Sequence, residues 1–171
     1  CPCGYYPDRN RCGCTEPEIR KYIGKISGPI MDRIDLCVEM EAVEVESLLP
    51  GGGKQHAESS GTIRERVRLA RQLQGERFAQ SRYRFNADIA DADLEKYCAI
   101  GERETACLKQ LCSSLQLSAR ACRRLLRVSR TVADLAGEER IGEEHILEAA
   151  CYRPSQEYWS VRMRQEGGKK G

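Results

Sequence analysis

Apolar residues recur at helical spacing through most of this chain, and one stretch alone alternates. Leu36, Val38 and Met40 alternate with Cys37 and Glu39, which predicts a short strand. A lone strand can neither bury both faces nor satisfy both hydrogen-bonding edges. It is expected to join a sheet that the rest of the sequence does not supply. A chain that opens on Cys1 with no initiating Met agrees with that reading of a fragment or a processed form.

The remainder predicts helices. Thr15 and Glu18 form a capping box, Pro17 sits in the first turn, and Ile19, Tyr22, Ile23 and Ile26 make the stripe of a helix stopped by Gly28-Pro29. Pro50, Gly51-Gly52-Gly53 and Ser59-Ser60-Gly61 mark a loop. Thr62 and Glu65 form a second capping box ahead of a helix over about 63–80, with Ile63, Val67, Ala70 and Leu73 on one side. An irregular stretch over 81–90 leads to helices near 92–100, 103–116, 118–136 and 143–151. Ser118 suits an N-cap and Gly137 a stop.

Charged residues make up 32% of the chain and the net charge is +2, so bulk charge selects no partner. No apolar run is long enough for a membrane span, and no signal or lipidation motif is present. Ten cysteines are many for 171 residues. Cys37, Cys98, Cys107, Cys112, Cys122 and Cys151 are scattered as small core-type residues rather than as a disulfide framework. With no secretion signal, a reducing cytoplasm is the expected setting.

Arg33 lies in Ile26-Ser27-Gly28-Pro29-Ile30-Met31-Asp32-Arg33-Ile34-Asp35-Leu36, between the first helix and the expected strand. A guanidinium on such a junction is planar, permanently charged and matched to phosphate oxygens. The bland alternative is an ion pair with Asp32 or Asp35. The string resembles the arginine-finger segment of the magnesium-chelatase-like AAA+ ATPases, the ComM/YifB branch in particular. Four further stretches agree: Cys1-Pro2-Cys3-Gly4-Tyr5-Tyr6, Thr62-Ile63-Arg64-Glu65-Arg66-Val67, Ser118-Ala119-Arg120-Ala121 and Ser129-Arg130-Thr131-Val132-Ala133-Asp134-Leu135.

The resemblance implies a mainly α chain: the end of an AAA+ α/β core (one helix, one strand), a helical linker and an α-helical lid. The boundaries would be 1–41 for the core piece with its cysteine-rich loop, 42–84 for the linker and long basic helix, 85–153 for the lid and 154–171 for a tail. Arg33 would reach in trans to the γ-phosphate held by a neighbouring protomer. Arg120 resembles the sensor-2 arginine of the lid, with Arg124 beside it. The implied assembly is a homo-oligomeric ring, of six subunits in the expected form, that moves DNA in the manner of a branch-migration motor. The full protein would bind ATP and Mg²⁺. This stretch lacks the Gly-x4-Gly-Lys-Ser/Thr loop that cradles phosphates, since Gly51-Gly52-Gly53-Lys54-Gln55 has neither its spacing nor its hydroxyl, and it has no apolar run ending in Asp-Glu. It is therefore expected to be inactive alone.

Arg120, Arg123, Arg124, Arg127 and Arg130 fall within an arc of roughly 120° at 100° per residue, with Ala121, Leu125, Val128 and Val132 opposite. One face should pack and one should be basic, whether solvated or in contact with nucleotide. Cys1, Cys3, Cys12 and Cys14 could wrap a structural Zn²⁺; reduced thiols or a disulfide formed in handling are the alternatives. From Thr62 to Arg84, seven arginines stand against two glutamates, with Tyr83 and Phe85 interleaved. Arg64, Arg68 and Arg71 are the residues expected to follow a nucleic-acid backbone, unless the stripe is merely solvated. His56 and His145 lack ligand-spaced partners and read as structural or surface residues, and no Ser-His-Asp or Cys-His constellation is evident. Two other functions remain open: insertion of Mg²⁺ into a porphyrin, against which the cysteine-rich segment argues, and a zinc-stabilised nucleic-acid-binding module without enzymatic activity.

Overall fold

The computed structural model describes residues 1–6, 8–38, 40 and 58–153. Of the loop expected over 41–61, residues 41–57, with His56 and the triple glycine, lie outside the described residues, as does the expected tail over 154–171; residues 60 and 61 belong to a helix instead. The chain divides into two units, one of Cys1–Leu36 with Arg153, the other running from Cys37 to Tyr152.

The first unit carries α1 (Glu16–Ile23) and the single turn α2 (Gly28–Met31). α1 starts where expected: the Glu18 carboxylate accepts the backbone N–H and the hydroxyl of Thr15, both at 2.8 Å. It ends at Gly24, earlier than the apolar stripe suggested. Ile19 is fully buried, whereas Tyr22 and Ile26 stay exposed. The Arg153 guanidinium, itself buried, donates to the carbonyl of Ile34 at 3.0 Å and ties down the segment that follows α2.

The second unit is helical: α3 (Ser60–Arg77), two 3-10 turns (Asn86–Asp88 and Asp91–Asp93), α4 (Leu94–Tyr97), α5 (Glu102–Ser114), α6 (Ala119–Ala136) and α7 (Glu143–Cys151). α6 is the hub, packing on α7, α3 and the first 3-10 turn. Its cap is the one the sequence names: Ser118 Oγ accepts the N–H of Ala121 at 3.2 Å. Gly137 closes it at φ 78°, a left-handed geometry that costs a side-chain-bearing residue energy. Phe78, Tyr83, Ile89, Leu94, Cys98, Ala133, Ile141 and Ile146 form the main core. Phe78, Tyr83 and Tyr97 meet edge to face, with centroids 5.1–6.0 Å apart. Leu125, Val132 and Ala149 form a smaller cluster between α6 and α7.

Four expectations are corrected. No strand forms among the described residues; of the expected strand, Glu39 is not described. Leu36, Val38 and Met40 are exposed, and Cys37 N–H donates to the Tyr152 carbonyl at 2.7 Å instead of to a neighbouring strand. The second helix begins three residues before its expected start, because Ser59 rather than Thr62 caps it: Ser59 Oγ accepts the Thr62 N–H at 3.1 Å. Ile63 and Val67 are exposed while Ala70 and Gln74 are buried, so only the C-terminal half of α3 packs. Cys112 and Cys122 are joined as a disulfide, although both read as single thiols. The turn between α5 and α6, with Gln116 at φ 50°, folds the two helix ends back on each other and leaves the Cα atoms 6.1 Å apart.

Candidate functional site

α6 places its arginines in sequence order from solvent to core. Arg120, in the first turn, is exposed and Arg124 is half-buried. Arg123 and Arg127 converge on Asp91, at 3.0 and 2.5 Å, and Arg127 Nε also donates to the Ile89 carbonyl at 2.8 Å. Arg130 is buried. Its three nitrogens donate to Asp134 Oδ1 at 3.1 Å, the Glu139 carbonyl at 2.7 Å and the Glu138 carbonyl at 2.6 Å. Desolvation lowers its proton affinity from the ordinary arginine value, and the Asp134 carboxylate opposes that fall. The basic face expected from the helical period thus splits. Its C-terminal end is structural, and its N-terminal end faces solvent.

Asp134 is the centre of the buried polar network, with no side-chain exposure. Arg77 reaches it from α3 in a bidentate pair, one arm at 2.8 Å, and also donates to Asn86 Oδ1 at 3.0 Å. Asn86 donates to Asp134 at 2.7 Å and to Thr131 Oγ1 at 3.1 Å, and its backbone N–H meets Gln74 Oε1 at 3.3 Å. A buried carboxylate between two guanidiniums is tolerated because every oxygen is matched by donors. The Arg130–Asp134 spacing of four residues was the only local signal of this network. The Arg77 and Asn86 contributions had none.

Arg77 therefore leaves the basic stripe that its charge suggested. Tyr83 leaves it too: the ring is buried, and its hydroxyl donates to Asp93 and accepts the Ala90 N–H. The residues expected to contact nucleic acid are all exposed on α3. Arg68 is held in a two-pronged pair by Glu65 at 2.8 and 2.9 Å, and Arg71 stacks 3.8 Å from the Phe85 ring centroid. Arg64 is exposed. His145 is buried and caps α7, its Nδ1 accepting the Gly142 N–H at 2.9 Å, in keeping with a structural histidine.

Arg33 sits on the turn after α2, exposed, its backbone N–H bonded to the Ile30 carbonyl at 2.9 Å. The turn is held from the other side through Arg153 and the adjacent Ile34 carbonyl. In the same unit Cys1, Cys3, Cys12 and Cys14 converge, with all four sulfurs within 4.8 Å of one another. A cleft in the second unit, lined by Leu73, Arg77, Tyr97, Arg130 and Glu138–Arg140, includes neither Arg120 nor Arg124.

Residues 57–153 match the family described as magnesium chelatase, subunit ChlI C-terminal, and residues 1–48 match magnesium chelatase, subunit ChlI. The competence protein ComM of Haemophilus influenzae is 37% identical over 158 residues, which cover 89% of this chain and 28% of that protein. The uncharacterised protein YifB of Salmonella typhimurium is 35% identical over 155 residues, 89% of this chain and 29% of the relative. YifB of Escherichia coli is 32% identical over 156 residues, with the same coverage. The chain spans less than a third of the length of these relatives. This chain belongs to the magnesium-chelatase ChlI-type family, as a ComM/YifB-related member.

Proposed function

We propose that this chain is the finger-and-lid portion of an ATP-driven ring motor that works on DNA in the cytoplasm. The single observation that carries the reading is the sorting of arginines. Most of the conspicuous ones on α6 are engaged by Asp91, Asp134 or backbone carbonyls, whereas Arg33 and Arg120 stand exposed on short, well-anchored stems. Arg120 lies in the first turn of a capped helix, where backbone N–H groups and the helix dipole also favour a phosphate. Arg124 lies one turn further along the same face. In this reading Arg120 meets the γ-phosphate of its own subunit's ATP, and Arg33 meets that of a neighbouring subunit and stabilises charge that develops during hydrolysis. The relative named a competence protein supports a role in DNA handling. The exposed Arg64, Arg68 and Arg71 on α3 supply a row of charge for the backbone of a nucleic acid.

The test is Arg33→Ala in the assembled full-length ring. ATP turnover should fall by about a thousandfold or more, in line with other fingers, while nucleotide binding persists. Turnover at the parental rate in that variant removes the finger assignment. In Arg120→Ala, weaker ATP binding is expected, with the ring still assembled.

A further inference from the structure

The cysteine-rich turn does nothing in the reading above, and its geometry asks for an occupant. Cys1 Sγ lies 3.3 Å from Cys3 Sγ and 3.6 Å from Cys12 Sγ, and Cys3 and Cys12 are 3.6 Å apart. Cys14 completes a set in which every sulfur lies within 4.8 Å of every other. Four thiolates placed tetrahedrally around one Zn²⁺, at about 2.3 Å each, stand about 3.8 Å from one another. The observed spread brackets that value. Two separate disulfides would draw the sulfurs into pairs, and a multi-iron cluster would hold them around a body wider than one ion. Mutual convergence of all four is the arrangement of a single shared ion.

The backbone is shaped for the same end. Gly4 adopts φ 84°, a left-handed turn, and its N–H closes on the Cys1 carbonyl at 3.1 Å. Asp8 caps the second bend, its Oδ1 accepting the Asn10 N–H at 2.9 Å and its carbonyl accepting the Cys12 N–H at 2.9 Å. These turns return the second Cys-x-Cys pair to the first. The Tyr6 N–H donates to Cys1 Sγ at 3.2 Å, the kind of outer bond that orients a thiolate ligand. Four thiolates and Zn²⁺ carry a net charge of minus two, and Arg9 and Arg11 ride on the same loop.

We infer that Cys1, Cys3, Cys12 and Cys14 bind one structural Zn²⁺. All four positions around the ion are filled by sulfur, so none is left for water or substrate and the ion has no catalytic task. Cys14 directly precedes Thr15, the cap of α1, so the ion clamps the turn onto the start of that helix. The inference stands apart from the proposed motor activity: the site forms whether or not Arg33 touches a nucleotide.

The chain, purified reduced, should contain one zinc per molecule by elemental analysis. Cys12→Ser should lose most of it, whereas Cys151→Ser, which changes an exposed thiol on α7, should keep it. Because Cys12→Ser could lose the turn altogether, the unmodified chain supplies a second measurement. Refilled with Co²⁺, it should show the sulfur-to-metal charge-transfer and tetrahedral d–d bands of four-thiolate coordination. Alkylation mapped by mass spectrometry should spare Cys1, Cys3, Cys12 and Cys14 until a strong chelator is added. Absence of zinc, iron in its place, full zinc in Cys12→Ser, an octahedral cobalt spectrum, or ready alkylation of the four thiols before chelation would each overturn the assignment.

Discussion

The two units reach order by different means. The second has two apolar clusters, with Ile146, Ala133 and Leu125 at 0–1% exposure, and a fully matched polar centre at Asp134. Among the described residues of the first, Ile19, Met31, Cys12 and Arg153 are the inward ones. The first unit relies on turns, an Arg9–Glu16 pair at 2.7 Å, a carbonyl clamp and the converging sulfurs. The contrast teaches where function can be placed. Rigid packing makes a frame for the α6 arginines, whereas the Arg33 turn is positioned by a few directed contacts.

The contrast would break first at Asp134. Asp134→Ala leaves the Arg130 guanidinium buried opposite no carboxylate, and the second unit should lose about 3–5 kcal/mol by chemical denaturation. A loss under 1 kcal/mol would mean that the network is incidental. Next comes Leu125→Ala, which opens a cavity between α6 and α7 and should cost about 3 kcal/mol. Ser118→Ala removes the α6 cap. It should cost about 1 kcal/mol and raise amide exchange at Ala121 specifically; unchanged exchange there would show that the bond does not form in solution.

The smallest effect belongs to the first unit and to pH. Thr15 N–H and hydroxyl hold the Glu18 carboxyl below its usual range, and Arg9 does the same for Glu16. Both contributions are present at neutral pH, above the ordinary carboxylate values. They should fade as the pH falls through the lowered ones. Amide protection of α1 should decline over that acid range, only slightly, because both groups are exposed. If carboxylate signals of Glu16 and Glu18 titrate at ordinary values, the contacts are transient.

Local chemistry was readable in advance. Ser118 and Gly137 bracket α6 as their residue types demand, Thr15 and Glu18 start α1, and the spacing of Ala121, Leu125 and Val132 named the packed face. The four N-terminal cysteines were visible as a set. Some misreadings arose where the partner lay beyond the local turn. Arg77 and Tyr83 looked like members of a basic, aromatic surface and turned out to serve the interior. Cys112 and Cys122 looked like isolated thiols until the turn at Gln116 brought them together.

By itself the sequence determined both ends of α6 and the start of α1, because caps, glycines and apolar period act within a turn or two of the chain. Which arginines stay in water was settled only by the tertiary structure. Arg120 and Arg130 are chemically the same and share one helical arc. One meets solvent and the other meets a carboxylate that Arg77 also engages, 57 positions away from it along the chain. Desolvation depends on what surrounds a charge, and that is decided by contacts no local pattern encodes.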